Sequence, residues 1–286
     1  MTSLVRHAAL AGLAAAFVGV AGAQTVVTFE AAGANAAAIT PTRDTFRVAV
    51  GGGTVAGANG SFGGLRREIN WDAVPAGQSD PNSFAANFFN TTSPRGVVFA
   101  TPGTGFLVSA NAVDPVPTLF GFATEFQTFS AQKLFTAVNS SITDVSFFLP
   151  GTATSAVTTA FGLVFVDVEV AASTRIEFFD AANHLFYTRD ALVAGNQGLS
   201  FLGGVVSGGS IARVRITSGS NTIVSNGVLG NPTSDIVVMD DFLYAEPLLA
   251  TAVPEPSVLA LTGLGLLGLV ARRRRAAAKA SATTSA

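Results

Sequence analysis

Cysteine is absent from the 286 residues, histidine occurs twice, tryptophan once, and only 12% of residues are charged. Without cysteine there is no disulfide framework and no lipidated cysteine, so the chain holds together by core packing. A zinc site of histidines and cysteines is excluded by counting. The scarcity of charge does not signal disorder, because 49% of residues are hydrophobic and 23 are phenylalanine. Phenylalanine, valine, threonine and 30 glycines instead indicate a β-rich globular chain. The length allows one large β-domain or two small ones.

The two ends differ from the body. "MTSLVRHAALAGLAAAFVGVAGAQ" opens with Arg6 and His7, continues apolar from Ala8 to Val20, and closes on small residues. That layout is a secretory signal peptide spanning 1–23, with Ala21 and Ala23 at the positions a signal peptidase reads. At the other end, "VPEPS" precedes fourteen small or apolar residues, Val258–Ala271, interrupted only by Thr262. As a helix this segment would reach roughly 21 Å, against a hydrocarbon core of about 30 Å. Arg272, Arg273, Arg274 and Arg275 follow directly. Such a block stays cytoplasmic, and snorkelling covers part of the shortfall. Residues 276–286 would then form a cytoplasmic tail, with the body outside.

The ordered triplet of Pro254-Glu255-Pro256, apolar segment and arginine cluster resembles the PEP-CTERM sorting signal of Gram-negative bacteria, over 253–275. The resemblance implies recognition by exosortase, transient insertion in the inner membrane, and delivery to the cell surface or extracellular matrix. It also implies association with exopolysaccharide and biofilm. Eleven residues follow the arginines, more than is usual in that family. Removal of both ends would lower basic residues from 16 to 10 and acidic residues from 18 to 17, a net charge near −7. That balance disfavours nucleic acid as a partner.

Between the ends, 24–250, short segments rich in β-branched and aromatic residues alternate with Gly, Pro, Asn and Asp. "TVVTFE", "TFRVAV", "REINW", "GFLVSA", "DVSFFLP", "FGLVFVDVEV", "TRIEFF", "HLFYTR", "LSFLGGVV", "ARVRIT" and "DIVVMDDFLY" read as strands. In "ARVRITS" the period of two sends Val214 and Ile216 inward and Arg213 and Arg215 to water. "AAGANAAAIT" reads as an Ala-rich loop, and no stretch of the body carries a helical period. The expectation is an all-β, two-sheet, jelly-roll-like β-sandwich, with a candidate subdomain boundary near 150–160. From Phe161 to Tyr244 the segment order resembles galactose-binding-like jelly-roll bodies, whose last strand bears an Asp-Asp pair.

Chemistry-bearing residues are few. A Ser-His-Asp triad could use only His184, and no G-x-S-x-G elbow is present. "GGGTVAGANG" contains G-x-G-x-x-A, but glycines continue where a phosphate-binding helix would have to open. Asp167 with Glu169, and Asp240 with Asp241, are carboxylate pairs that could act in glycoside hydrolysis or share a cation. Asp167, Glu169 and Asp241 are therefore candidate ligands for a structural calcium. Trp71 either offers an exposed indole on which a sugar stacks, with Asp72 bonding its hydroxyls, or fills the core. "DPNSFAANFFNTTSPRG" reads as a long loop. The expected function is a non-enzymatic, exported sandwich that associates with exopolysaccharide. A secreted glycan hydrolase and a self-associating surface protein are the alternatives.

Overall fold

A computed structural model describes residues 24–111, 118–224, 228–229 and 234–250. The expected signal peptide with Ala21 and Ala23, and everything from the Pro-Glu-Pro motif to the tail, lie outside the described residues. Among the described residues no helix is long and apolar enough to cross a membrane.

The first half of the body supplies β1 (Thr25–Gly33), α1 (Ala36–Val50), β2 (Ser61–Phe62), β3 (Arg66–Ile69), α2 (Phe88–Thr91), β4 (Val97–Ala100), β5 (Gly105–Val108), β6 (Phe135–Val138) and β7 (Ile142–Phe147). The second half supplies β8 (Ala160–Val166), β9 (Arg175–Phe179), β10 (Leu185–Asp190), β11 (Leu199–Ser207), β12 (Arg213–Thr217), β13 (Ile223–Val224), β14 (Val228–Leu229) and β15 (Val238–Ala245). One sheet runs β1-β11-β8-β15-β6-β13-β14, with β3 also on β15, β2 on β3, and β5 on β6. The other runs β10-β9-β12-β7-β4. Both halves contribute to both sheets, so the turn at Pro150-Gly151 lies inside one unit, Gln24–Ala250.

The chain is mostly β, as its alternation requires. Val214 and Ile216 of β12, and Ile176 and Phe178 of β9, are buried, while their neighbours are partly exposed. These side chains meet Phe161, Leu163 and Phe165 of β8 and Phe242 and Tyr244 of β15, forming the core between the sheets. A second core covers the outer face of the larger sheet, where α1 sets Ile39 and Phe46 against Val164, Leu199 and Phe201. This outer layer is a departure from the sequence expectation. "TFRVAV" forms the end of α1 and the second half of the Ala-rich stretch its beginning, while Ala31–Gly33 close β1, instead of a strand and a loop. Pro41 lies inside that helix and removes one of its backbone donors. Tertiary burial of Ile39 and Phe46, seven residues apart on one face, outweighs the defect.

β11 is thinned so that both layers can approach. Gly203 lies beneath the Phe46 ring, and a Cβ added at Gly204 would sit 2.8 Å from Phe178 of the other sheet and 2.9 Å from Val26. Gly204→Ala should therefore cost about 1–3 kcal/mol, the usual range for overpacking a filled core. Chemical denaturation of the purified body reads this as a lower midpoint with unchanged slope.

The segment 80–96 is the expected loop apart from the single turn of α2, but it is packed inward. Its phenylalanines Phe84, Phe88 and Phe89 are buried in the inter-sheet core, and Asn90 ties α2 to the next turn through Thr152 and Gly151. Aromatic content, not length, decides this segment.

Candidate functional site

Regular pairing of β15 with β8 breaks between Met239 and Phe242. The intervening residues, Asp240 and Asp241, form a β-bulge, a device that re-aims side chains. In an uninterrupted strand the two carboxyls would project to opposite faces. Here both turn to the α1 side. Asp240 is fully buried and accepts hydrogen bonds from the Phe129 backbone N–H at 2.7 Å, the Ser130 hydroxyl at 3.0 Å, and the Asp241 N–H at 2.8 Å. Asp241 Oδ2 lies 3.7 Å from an Arg43 nitrogen, and its Oδ1 is buried without a hydrogen-bond partner. Burial, with each carboxyl repelling the other, pushes Asp240 well above the ordinary carboxylate range. Asp241 is also raised, by burial, against the opposing pull of Ser130 and Arg43.

Asp241 lines an open cleft of about 430 Å³ between α1, the glycine-rich loop after it, the β3 edge and the segment at Phe129-Ser130. Ion pairs fix its walls. Arg66, itself 2% exposed, donates to the carbonyls of Gly51 and Gly53, so it caps the C-terminus of α1 with a positive charge. The same guanidinium reaches Glu68 at 2.7 Å. Arg47 joins Glu68 and Asp44, tying the last turn of α1 to β3. Arg43 stacks over the Phe129 ring at 4.8 Å and pairs with Asp44. Arg95 stacks over Phe89 at 4.7 Å and donates its Nε–H to the Asn59 carbonyl at 3.1 Å. The glycine-rich stretch follows a helix instead of opening one, so the dinucleotide pattern there carries no phosphate site.

Trp71 is not a sugar platform. It is 1% exposed, stacked on Phe135 at 4.1 Å between centroids, with Phe84, Phe89 and Phe242 against its edges and faces. Its indole N–H donates to the Asp240 carbonyl at 3.2 Å, so it supports the bulge from behind. Asp72 lies behind the cleft wall, accepting from the Asn70 amide at 3.0 Å and the Lys133 backbone N–H at 3.2 Å. Burial pushes Asp72 up to about 6, the Asp241 charge adding to the rise.

The calcium set does not assemble. β8 ends at Val166, and Asp167 takes a left-handed φ of 75° that breaks the alternation expected through 169. Asp167 is consequently buried and Glu169 exposed, so they do not share a face. Asp241 lies three residues beyond Val238, the partner of Val166, and engages the cleft instead. Among the described residues no group of three or more His, Asp or Glu could hold a metal. His184 sits on a surface turn, its side chain 77% exposed and 3.3 Å from Asp180.

Asp167 has its own consequence. Its Oδ1 accepts the Gln197 N–H at 2.7 Å, while Oδ2 is buried without a partner. Burial, reinforced by Glu169, Glu125 and Asp235, pushes it from 3.8 up to about 7. A carboxyl raised in the folded state favours folding below its unfolded value and loses that contribution as pH rises through about 7. Asp167→Asn, which keeps the acceptor for Gln197, should melt above wild type at pH 8 and close to it at about pH 4, near the unfolded value. Thermal melts at the two values check this.

The cleft was missed in sequence because its parts are far apart in the chain: Arg43 and Arg47, then Glu68 and Asn70, Arg95, Ser130 and Asp241. One signal was available. Five of the ten basic residues between 24 and 250 fall between Arg43 and Arg95.

The C-terminus decides the chain's destination. Residues 252–275 match the PEP-CTERM protein-sorting motif. The match takes in Pro254, Glu255, Pro256 and Arg272–Arg275, and marks an exosortase-sorted surface protein. No curated protein matches the chain. The PEP-CTERM signal thus speaks for delivery, and the body's role rests on its own geometry.

Proposed function

We propose that the chain is a non-enzymatic glycan-binding sandwich, exported through its N-terminal segment, inserted transiently in the inner membrane, and processed by exosortase. Its body then associates with exopolysaccharide at the cell surface or in the matrix. The observation that carries this reading is the α1-side cleft. Its 430 Å³ falls within the roughly 300–1,000 Å³ typical of small-molecule sites, and its walls are polar groups held by buried ion pairs. Asn70, Ser130, Glu68 and Asp241 give donors and acceptors of the kind hydroxyl-rich ligands need.

Co-sedimentation of the processed protein with the producer's exopolysaccharide tests the proposal. Retention in the pellet, reduced by Asp241→Asn or Ser130→Ala, supports it; equal recovery with and without polysaccharide rejects it. Chelator should leave retention unchanged.

One observation favours a second reading. Asp241, raised by burial, shares the cleft with Glu68, as an acid and a carboxylate do in glycoside hydrolases. Release of reducing ends from the polysaccharide, abolished by Asp241→Asn, would install that reading in place of simple binding.

A further inference from the structure

The residues between 24 and 250 carry a net charge near −7, yet Arg43, Arg47, Arg66, Arg67 and Arg95 gather around this cleft. Four of the five have carboxylate partners. Arg47 and Arg66 meet on Glu68, Arg67 takes Glu246 at 2.7 Å, and Arg43 takes Asp44 at 2.9 Å. Arg95 differs: among the described residues it pairs with no carboxylate. Its position is nevertheless fixed. The Phe89 ring holds one face, Asn59 takes the Nε–H, and Gly60 lies so close that a Cβ there would meet Nε at 2.5 Å. The Arg95 carbonyl is held in turn by the Tyr244 hydroxyl at 2.9 Å. A guanidinium immobilised in this way has already lost the rotamer freedom that binding would otherwise remove.

We infer that the cleft takes an acidic saccharide unit, whose carboxylate pairs with Arg95 while Asp241, Asn70 and Ser130 bond its hydroxyls. This rests on the glycan-binding reading of the same site. Guanidinium and carboxylate match as two parallel hydrogen bonds, stronger than those between neutral groups. Glu68 and Asp241 in the same cleft set an upper limit on ligand charge. They disfavour a dianionic phosphate and leave a monoanionic carboxylate as the better match. Burial, with Arg67 adding, lowers the Arg95 pKa, so an anion placed against it relieves an uncompensated cation.

The test is calorimetric titration of the processed protein with the producer's exopolysaccharide, native and carboxyl-reduced. Wild type should bind the native polymer at least about tenfold more tightly than the reduced one, the effect of one charged hydrogen-bonded pair. Arg95→Gln should remove that difference. As a check independent of folding, added salt should weaken wild-type binding of the native polymer and spare the reduced one. Equal wild-type affinity for the two polymers overturns the acidic-saccharide inference and leaves glycan binding standing. Binding of neither overturns both.

Discussion

Deletion of Arg272–Arg275, or Glu255→Ala, should convert the delivered protein into a species that retains its C-terminal tail. The expected effect is close to all-or-none. The apolar stretch Val258–Ala271 has fourteen residues and would reach roughly 21 Å as a helix, so its hydrophobicity alone retains it weakly. Four arginines supply the rest. Each costs about 2.5–3.5 kcal/mol to place at the centre of a bilayer, so together they prevent the tail from being pulled across. Their loss leaves a segment that can slip through, carrying Pro254–Pro256 away from a membrane-embedded enzyme. Under the proposed sorting, Glu255→Ala acts differently: the segment would still insert, and the recognition motif would be gone. Mass spectrometry of surface and membrane fractions from an exosortase-bearing host distinguishes the cases. Wild type should lose its C-terminal peptide. Arg272–Arg275 deletion should release intact chain, and Glu255→Ala should leave intact chain in the membrane. Intact tail on surface-delivered wild type would contradict the sorting account.

The second large effect lies in the core. Trp71→Ala should destabilise the body by about 3–5 kcal/mol, the range for truncating a buried large aromatic. Against a typical total of about 5–15 kcal/mol, this brings the domain near unfolding. Trp71 touches phenylalanines from α2 (Phe89), β4 (Phe99), β6 (Phe135) and β15 (Phe242), so its removal opens a cavity where several elements meet. Trp71→Phe should cost less, because it keeps the stack on Phe135. It still removes the donor to the Asp240 carbonyl, a loss of about 1–3 kcal/mol when the acceptor is buried. Urea titrations measure both. A loss below 1 kcal/mol for Trp71→Ala would mean that the indole is not in the core. The buried position also predicts that wild-type tryptophan emission stays fixed when glycan binds.

Much of the sandwich was readable from sequence because period-two alternation states burial directly. Ile176, Phe178, Val214 and Ile216 face inward where that alternation places them. α1 was not readable. Pro41 interrupts its period, its β-branched tail "TFRVAV" resembles a strand, and the groove that buries Phe46 exists only after β8 and β11 have paired. Asp241 was singled out as a possible metal ligand, but the bulge at 240–241 gives it another task. A local insertion of that kind leaves the composition of the strand unchanged and shows only in its register. Trp71 was ambiguous in sequence, since both an exposed platform and a core indole fit "REINW". The aromatic residues that enclose it come from as far away as Phe242, which no local pattern could reveal.

Amide chemical-shift mapping of the processed protein, titrated with oligosaccharides released from the producer's exopolysaccharide, tests the central claim most directly. Perturbations should centre on Asn59, Gly60, Arg95, Ser130 and Asp241 around the α1-side cleft, with the β9–β12 face unaffected. Saturable perturbation of another surface with the cleft silent, or no perturbation at all, would contradict the assignment of this cleft as the saccharide site.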